Sequence, residues 1–234
     1  MDVLQENRKL AEEVIDLTLG ILARRYSVRK LDSGRFAEVT AMNMTFQTAH
    51  YEIEGAGHLM TMYVKDNPQM SMATCTFTPC GKKLPLVSAD FIFQGEGGMF
   101  LIEIYELVKD REAPAFREWM SRFDERFRDL SELEDIPTRP CFYDPIRPIY
   151  VCKKRNMDLD RKSIRNLADT LRILMDQAQA GETLIGEEAE EQRAIQREYV
   201  DNLIDMNGVS TEVFVKEHGK DFVREFFHDV FFSV

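Results

Sequence analysis

Apolar residues between Leu4 and Arg25 recur at spacings of four and three, at Leu10, Val14, Leu17 and Ile21, with Ile15 and Leu22 widening the stripe. This pattern predicts an amphipathic helix packed on a core. From Arg35 to Leu107 the period shortens. β-prone runs broken by Gly, Pro and Asn cover residues 36–46, 50–54, 58–65, 70–78, 86–93 and 99–107. Connections as short as Asp66-Asn67-Pro68 and Gly95 to Gly98 predict an antiparallel meander, because parallel crossovers need a dozen residues or more.

The second half reads as mainly helical. Over 113–129, Phe116, Trp119, Met120, Phe123 and Phe127 line one face opposite Arg117, Arg122, Glu125 and Arg128. Pro137, Pro140, Pro145 and Pro148 forbid a helix in the stretch that follows, and 149–152 reads as one more strand. Further helices are expected over 159–177, 187–205, 210–218 and 220–231. No repeat or polar linker divides the chain, so residues 1–234 are read as a single domain of the α/β class. The predicted architecture is a three-layer α/β/α sandwich with a central antiparallel sheet.

Composition narrows the function classes. With 234 residues, 44% of them hydrophobic, the chain can bury one sizeable core, and it has no run of about 18 apolar residues that would span a membrane. The N-terminal stretch is charged and helical in pattern, without the apolar segment and cleavage site of a secretory signal, so a cytoplasmic location is expected. Cys75, Cys80, Cys141 and Cys152 lack CxxC spacing and share no ligand spacing with the four histidines; reduced thiols are expected, not a disulfide framework or a zinc site. A net charge of -11, with no basic stretch longer than Lys153-Lys154-Arg155, disfavours nucleic acid as a partner.

One strand carries candidate chemistry. Along 86–93, Val87, Ala89, Phe91 and Phe93 form an apolar face, leaving Leu86, Ser88, Asp90 and Ile92 on the other. A carboxyl held mid-strand between aliphatic residues loses hydration, which raises its pKa and suits it to donate a proton near neutral pH. A basic partner or water at the sheet surface would serve such a carboxyl as well. In the preceding strand Thr74, Thr76 and Thr78 share a face. They form a polar patch or simply reflect the β-propensity of Thr. The glycines at 95–98 lie between antiparallel strands and open no helix, so they read as a hairpin turn and not a phosphate loop. Met60, Met62, Met70 and Met72 suit either core packing or an adaptable wall for a large flat ligand.

Two stretches resemble the ferredoxin-dependent bilin reductases, which make phycocyanobilin, phycoerythrobilin and phytochromobilin from biliverdin. The first is TCTFTPCGKKLPLVSADFIFQGEGG, residues 74–98; the second is QREYVDNLIDMNGVSTEVFVKEHGKDFVREFFHDVFF, residues 196–232. Their motifs are short, and the likeness rests on their order along nearly the whole chain. The resemblance implies a bilin reductase in which reduced ferredoxin is the external electron donor and no cofactor is bound. It puts Asp90 at the position of the family's proton donor. Thr74 falls where the family has His or Asn, Met62 where the phycocyanobilin-forming branch has Glu, and Ser88 shares the Asp90 face. Asn207 matches the Asn of the family's closing turn. Gly208 replaces the acidic residue often found beside it; Asp205, two positions before Asn207, substitutes for it only if the local geometry differs from the family's. Lys153 or Lys154 falls near the basic contact to a bilin propionate, as a point charge and not a bidentate fork.

With so few acids retained, the resemblance implies a two-electron reduction of biliverdin or a related linear tetrapyrrole. A non-catalytic tetrapyrrole carrier or sensor is the first alternative, and an enzyme similar to red chlorophyll catabolite reductase the second. Ferredoxins are generally acidic, so docking on this acidic chain requires a local basic group facing solvent: Lys82 and Lys83, in the loop leading to the Asp90 strand, are the first candidates, and Lys153, Lys154 and Arg155 the others.

Overall fold

The structure, a computed structural model, describes residues 2–64, 66–181, 183–206 and 208–234. The N-terminal stripe forms helix α1 (Val3–Ala23), started by the Asp2 carboxylate accepting the Leu4 N–H at 3.1 Å and burying Leu10, Val14, Ile21 and Leu22. The sheet has eight strands: β1 (Val28–Lys30), β2 (Glu38–Ala41), β3 (Met44–Ile53), β4 (Gly57–Val64), β5 (Met70–Pro79), β6 (Leu86–Gln94), β7 (Gly97–Tyr105) and β8 (Ile149–Lys154). Their order is β1-β3-β4-β5-β6-β7-β8, every neighbour antiparallel, with β2 pairing the first half of β3 and β1 its last residues.

Three expectations change here. The run read as one strand over 36–46 is a turn of 3₁₀ helix (Gly34–Phe36) followed by a hairpin that reverses at Met42 and Asn43, whose φ angles are +53° and +59°. That pair of left-handed residues matches the twist of the flanking strands. β3 then continues unbroken through 47–49, where a gap was expected. β1 was not expected at all. Three residues are too few to show alternation, and only their pairing with 51–53 makes them a strand.

The helices are α2 (Pro114–Phe127), α3 (Asp160–Ala180), α4 (Glu187–Asp205), α5 (Thr211–His218) and α6 (Lys220–Phe226). The last was expected to run to 231, but it changes to a π turn over Phe227–Phe231, which lets Phe226, Phe227 and Phe232 all reach the core. α1, α2 and α3 bury the sheet face that carries Phe77, Ala89, Phe91 and Ile102, with Trp119 and Leu171 opposite. α4, α5, α6 and the C-terminal residues cover part of the other face, around Phe46, Met60, Met62 and Tyr105. The result is the α/β/α sandwich with a central antiparallel sheet. Among the described residues no helix is long and apolar enough to cross a membrane.

Candidate functional site

Cross-strand register assembles the candidate residues. Met62 pairs Thr74, Thr74 pairs Asp90, Asp90 pairs Leu101, and Leu101 pairs Cys152. Directly opposed residues of an antiparallel sheet project to the same face, so this row runs across five strands on the side of α4. The neighbouring row is Met60, Thr76, Ser88, Glu103 and Tyr150. Met62, Thr74 and Thr76 are buried, whereas Met72, Ser88, Asp90, Ile92, Leu101, Glu103 and Tyr150 are only partly so. Over β6 and β7 this sheet face is therefore incompletely covered. The partly exposed residues there are the aliphatic Met72, Ile92 and Leu101, the aromatic Tyr150, and the polar Ser88, Asp90 and Glu103.

Asp90 is the acid of the first row. Thr74 Oγ1 donates to its Oδ1 at 2.5 Å. Burial, opposed by the Thr74 hydrogen bond and reinforced by the charge of Glu103, pushes its pKa up to about 6. A carboxyl so tuned keeps its proton in mildly acidic solution and gives it up readily near neutrality. A stability effect follows. The folded chain holds this proton to about pH 6, whereas an unfolded Asp releases it near ~4. The native state thus binds more protons between those values, and stability falls as pH rises through the window. Discounted for partial exposure, the penalty above the window is on the order of 1–2 kcal/mol. Urea denaturation of Asp90→Asn should show that gain over the wild type at pH 7.5 and none at pH 4; equal midpoints at pH 7.5 would contradict a raised Asp90.

Beside Asp90 lies a buried ion pair that the sequence analysis missed. Glu103 and Arg147 have side chains only 12% and 8% exposed and are hydrogen-bonded to each other. Arg147 also binds Asp144 at 2.5 Å, and its guanidinium lies 3.8 Å from the centre of the Tyr150 ring and 4.9 Å from that of Tyr143. Burial outweighs the Arg147 contact and pushes Glu103 upward. Tyr105, Tyr143 and Tyr199 close the far side, with ring centres 5.1–6.3 Å apart. Next to them a cavity of about 360 Å³ opens between the Pro-rich loop and the α4–α5 turn, lined among others by Phe142, Tyr143, Met206 and Gly208. Glu103 was within reach of the sequence. The tight turn pairs Gln94 with Gly97, and counting back from it sets Glu103 opposite Ser88. Arg147 and Tyr199 left no such signal, since a loop and a helix bring them in.

Met62, Thr74, Ser88 and Asp90 are thus brought together, whereas other expected residues are not. Lys153 pairs Phe100, whose ring belongs to the α1 side of the sheet, and its ammonium is held by Leu133 O at 3.2 Å and Asp135 at 2.7 Å. Alternation along β8 gives the Asp90 face to Tyr150, Cys152 and Lys154 instead, and Lys154 is paired with Glu134. Asp205 ends α4 on the surface, bound to Lys220 at 3.0 Å and Arg224 at 3.5 Å, contacts that hold its carboxylate toward α6. Asn207 lies outside the described residues. Lys82 donates to Gly181 O at 2.9 Å, and Lys83 pairs with Asp110 at 3.5 Å. None of the four cysteines is disulfide-bonded.

Fold and site together define an α/β/α sandwich whose incompletely covered sheet face presents a proton-holding carboxyl. The same fold occurs in the crystal structure of phytochromobilin synthase from tomato in complex with biliverdin. The two superpose with a TM-score of 0.71 over 92% of this chain and 81% of that one, at 12% sequence identity. No family model and no curated protein sequence matches the chain.

Proposed function

We propose that this protein binds biliverdin or a closely related linear tetrapyrrole against the Asp90 face of the sheet and reduces it with electrons from reduced ferredoxin. The observation that carries the reading is the placement of Asp90. A carboxyl with its pKa pushed up to about 6 stands mid-row on the incompletely covered face of a fold shared with a biliverdin-bound synthase. Apolar neighbours Met62, Met72, Ile92 and Leu101 suit a flat, conjugated ligand, and Thr74 orients the acid that faces it. In a two-electron reduction two protons are needed. Asp90 supplies one and solvent the other, while single electrons come from the donor. The docking site proposed for ferredoxin is the loop bearing Lys82 and Lys83, two residues that are partly exposed.

A second reading, binding without turnover, draws on the same row. Met62 and Thr74 place no further acid beside Asp90. One titration separates the two. Biliverdin added to the purified protein should show a shifted, intensified absorption band. Addition of ferredoxin, its reductase and NADPH under anaerobic conditions should then move or bleach that band if the protein is an enzyme. An unchanged band would leave a carrier, and no band at all would refute both.

A further inference from the structure

We propose that Glu103 is a positioning residue for Asp90: its carboxylate, fixed one sheet row away by Arg147, biases Asp90 toward its protonated form and so raises the share of the free protein that holds the proton ready. This rests on the reading of Asp90 as proton donor. Glu103 pairs Ser88, and Asp90 pairs Leu101, so the two carboxyls are diagonal neighbours on one face. Such neighbours lie roughly 7–8 Å apart, their Cβ atoms somewhat closer, near enough for a charge in a partly buried site to act strongly. The Glu103 side chain cannot swing away. Arg147 grips it, Asp144 holds Arg147 at 2.5 Å, and the rings of Tyr143 and Tyr150 enclose the guanidinium.

The remaining groups facing this pair do not supply the charge. Tyr105 on β7, Tyr150 and Cys152 on β8, Tyr143 on the loop and Tyr199 on α4 are all pushed up by burial and stay neutral at pH 7. On β5 Thr74 only donates to Asp90, and Lys154 is occupied by Glu134. Glu103 is thus the nearest anion by register, and Arg147 is its counterion. Holding the Asp90 proton more tightly has a functional consequence. A larger share of the free protein carries the acid loaded when the tetrapyrrole arrives, and in that share reduction need not wait for a proton to enter a covered site.

The test is the titration of Asp90 in the free protein, read from its side-chain carboxyl carbon by NMR and set beside the pH profile of reduction. Glu103→Gln should lower the Asp90 midpoint by roughly one pH unit and move the limb of the rate profile by the same amount. Glu103→Asp, which keeps the charge, should restore most of both. If Glu103→Gln leaves the midpoint unchanged, or if both substitutions shift it alike, the proposal is overturned. Should the Gln variant not fold, a midpoint for Glu103→Asp displaced as far as that of the Asp90 peptide value would overturn it equally. A shifted midpoint in a protein that neither binds nor reduces biliverdin would uphold the coupling and reject the functional reading, so the two failures are distinguishable.

Discussion

Asp90→Asn is expected to leave biliverdin bound with nearly unchanged affinity and to slow its reduction by about 100-fold or more. The amide keeps the shape of the carboxyl and can still accept the Thr74 hydroxyl, which now reaches Asp90 at 2.5 Å, so the binding face survives. It has no acidic proton to deliver, and loss of a positioned general acid typically costs about 10²–10⁴ in rate. Anaerobic single-turnover absorption spectroscopy with reduced ferredoxin distinguishes the outcomes. A stalled radical or an unreacted band is the expected result; turnover at the wild-type rate would remove Asp90 from the chemistry and leave the sheet face as a binding surface only.

The second large effect concerns Arg155, which the sequence groups with Lys153 and Lys154 as a basic surface run and the fold buries. Its side chain is 2% exposed and that of its partner Asp160 8%. Nε and Nη2 bind the Asp160 carboxylate at 2.7–3.0 Å, Nη2 also reaches Asn7 Oδ1 at 2.8 Å, and Nη1 reaches the carbonyls of Gly95 and Gly97 at 2.9 and 3.1 Å. The guanidinium also lies 4.8 Å from the centre of the Phe93 ring. One side chain therefore clamps α1, α3 and the β6–β7 hairpin, the hairpin that holds Asp90 and Glu103 in register. Arg155→Met should cost about 3–5 kcal/mol, because it leaves Asp160 buried without a counterion. The midpoint of urea denaturation reads this directly. A loss below about 1 kcal/mol would mean that water or local rearrangement satisfies Asp160 and that the clamp is dispensable.

Much of this molecule was legible in the chain because period and local chemistry decide it. The stripe from Leu10 to Leu22, the alternation over 86–94 and the short turn at 95–96 fix α1, β6 and the β6–β7 hairpin without outside help. They place Asp90 on one face with Ser88, since a strand offers its residues only two sides. What a strand's own sequence leaves open is where pairing starts and which layer covers which face. Lys153 and Lys154 are equivalent until β8 docks on β7; Phe100 opposite Lys153 then sends that lysine to the α1 side. β1 exists only because β3 offers it an edge. Arg147, Tyr143 and Tyr199 meet Glu103 from a loop and from α4, segments 40 or more positions away in the chain, and no local periodicity records such a meeting. Arg155 is the sharpest case. Sequence alone exposes an arginine in a basic run, since hydrating a cation costs nothing; only the packed structure brings Asp160, Asn7 and two carbonyls close enough to replace its water.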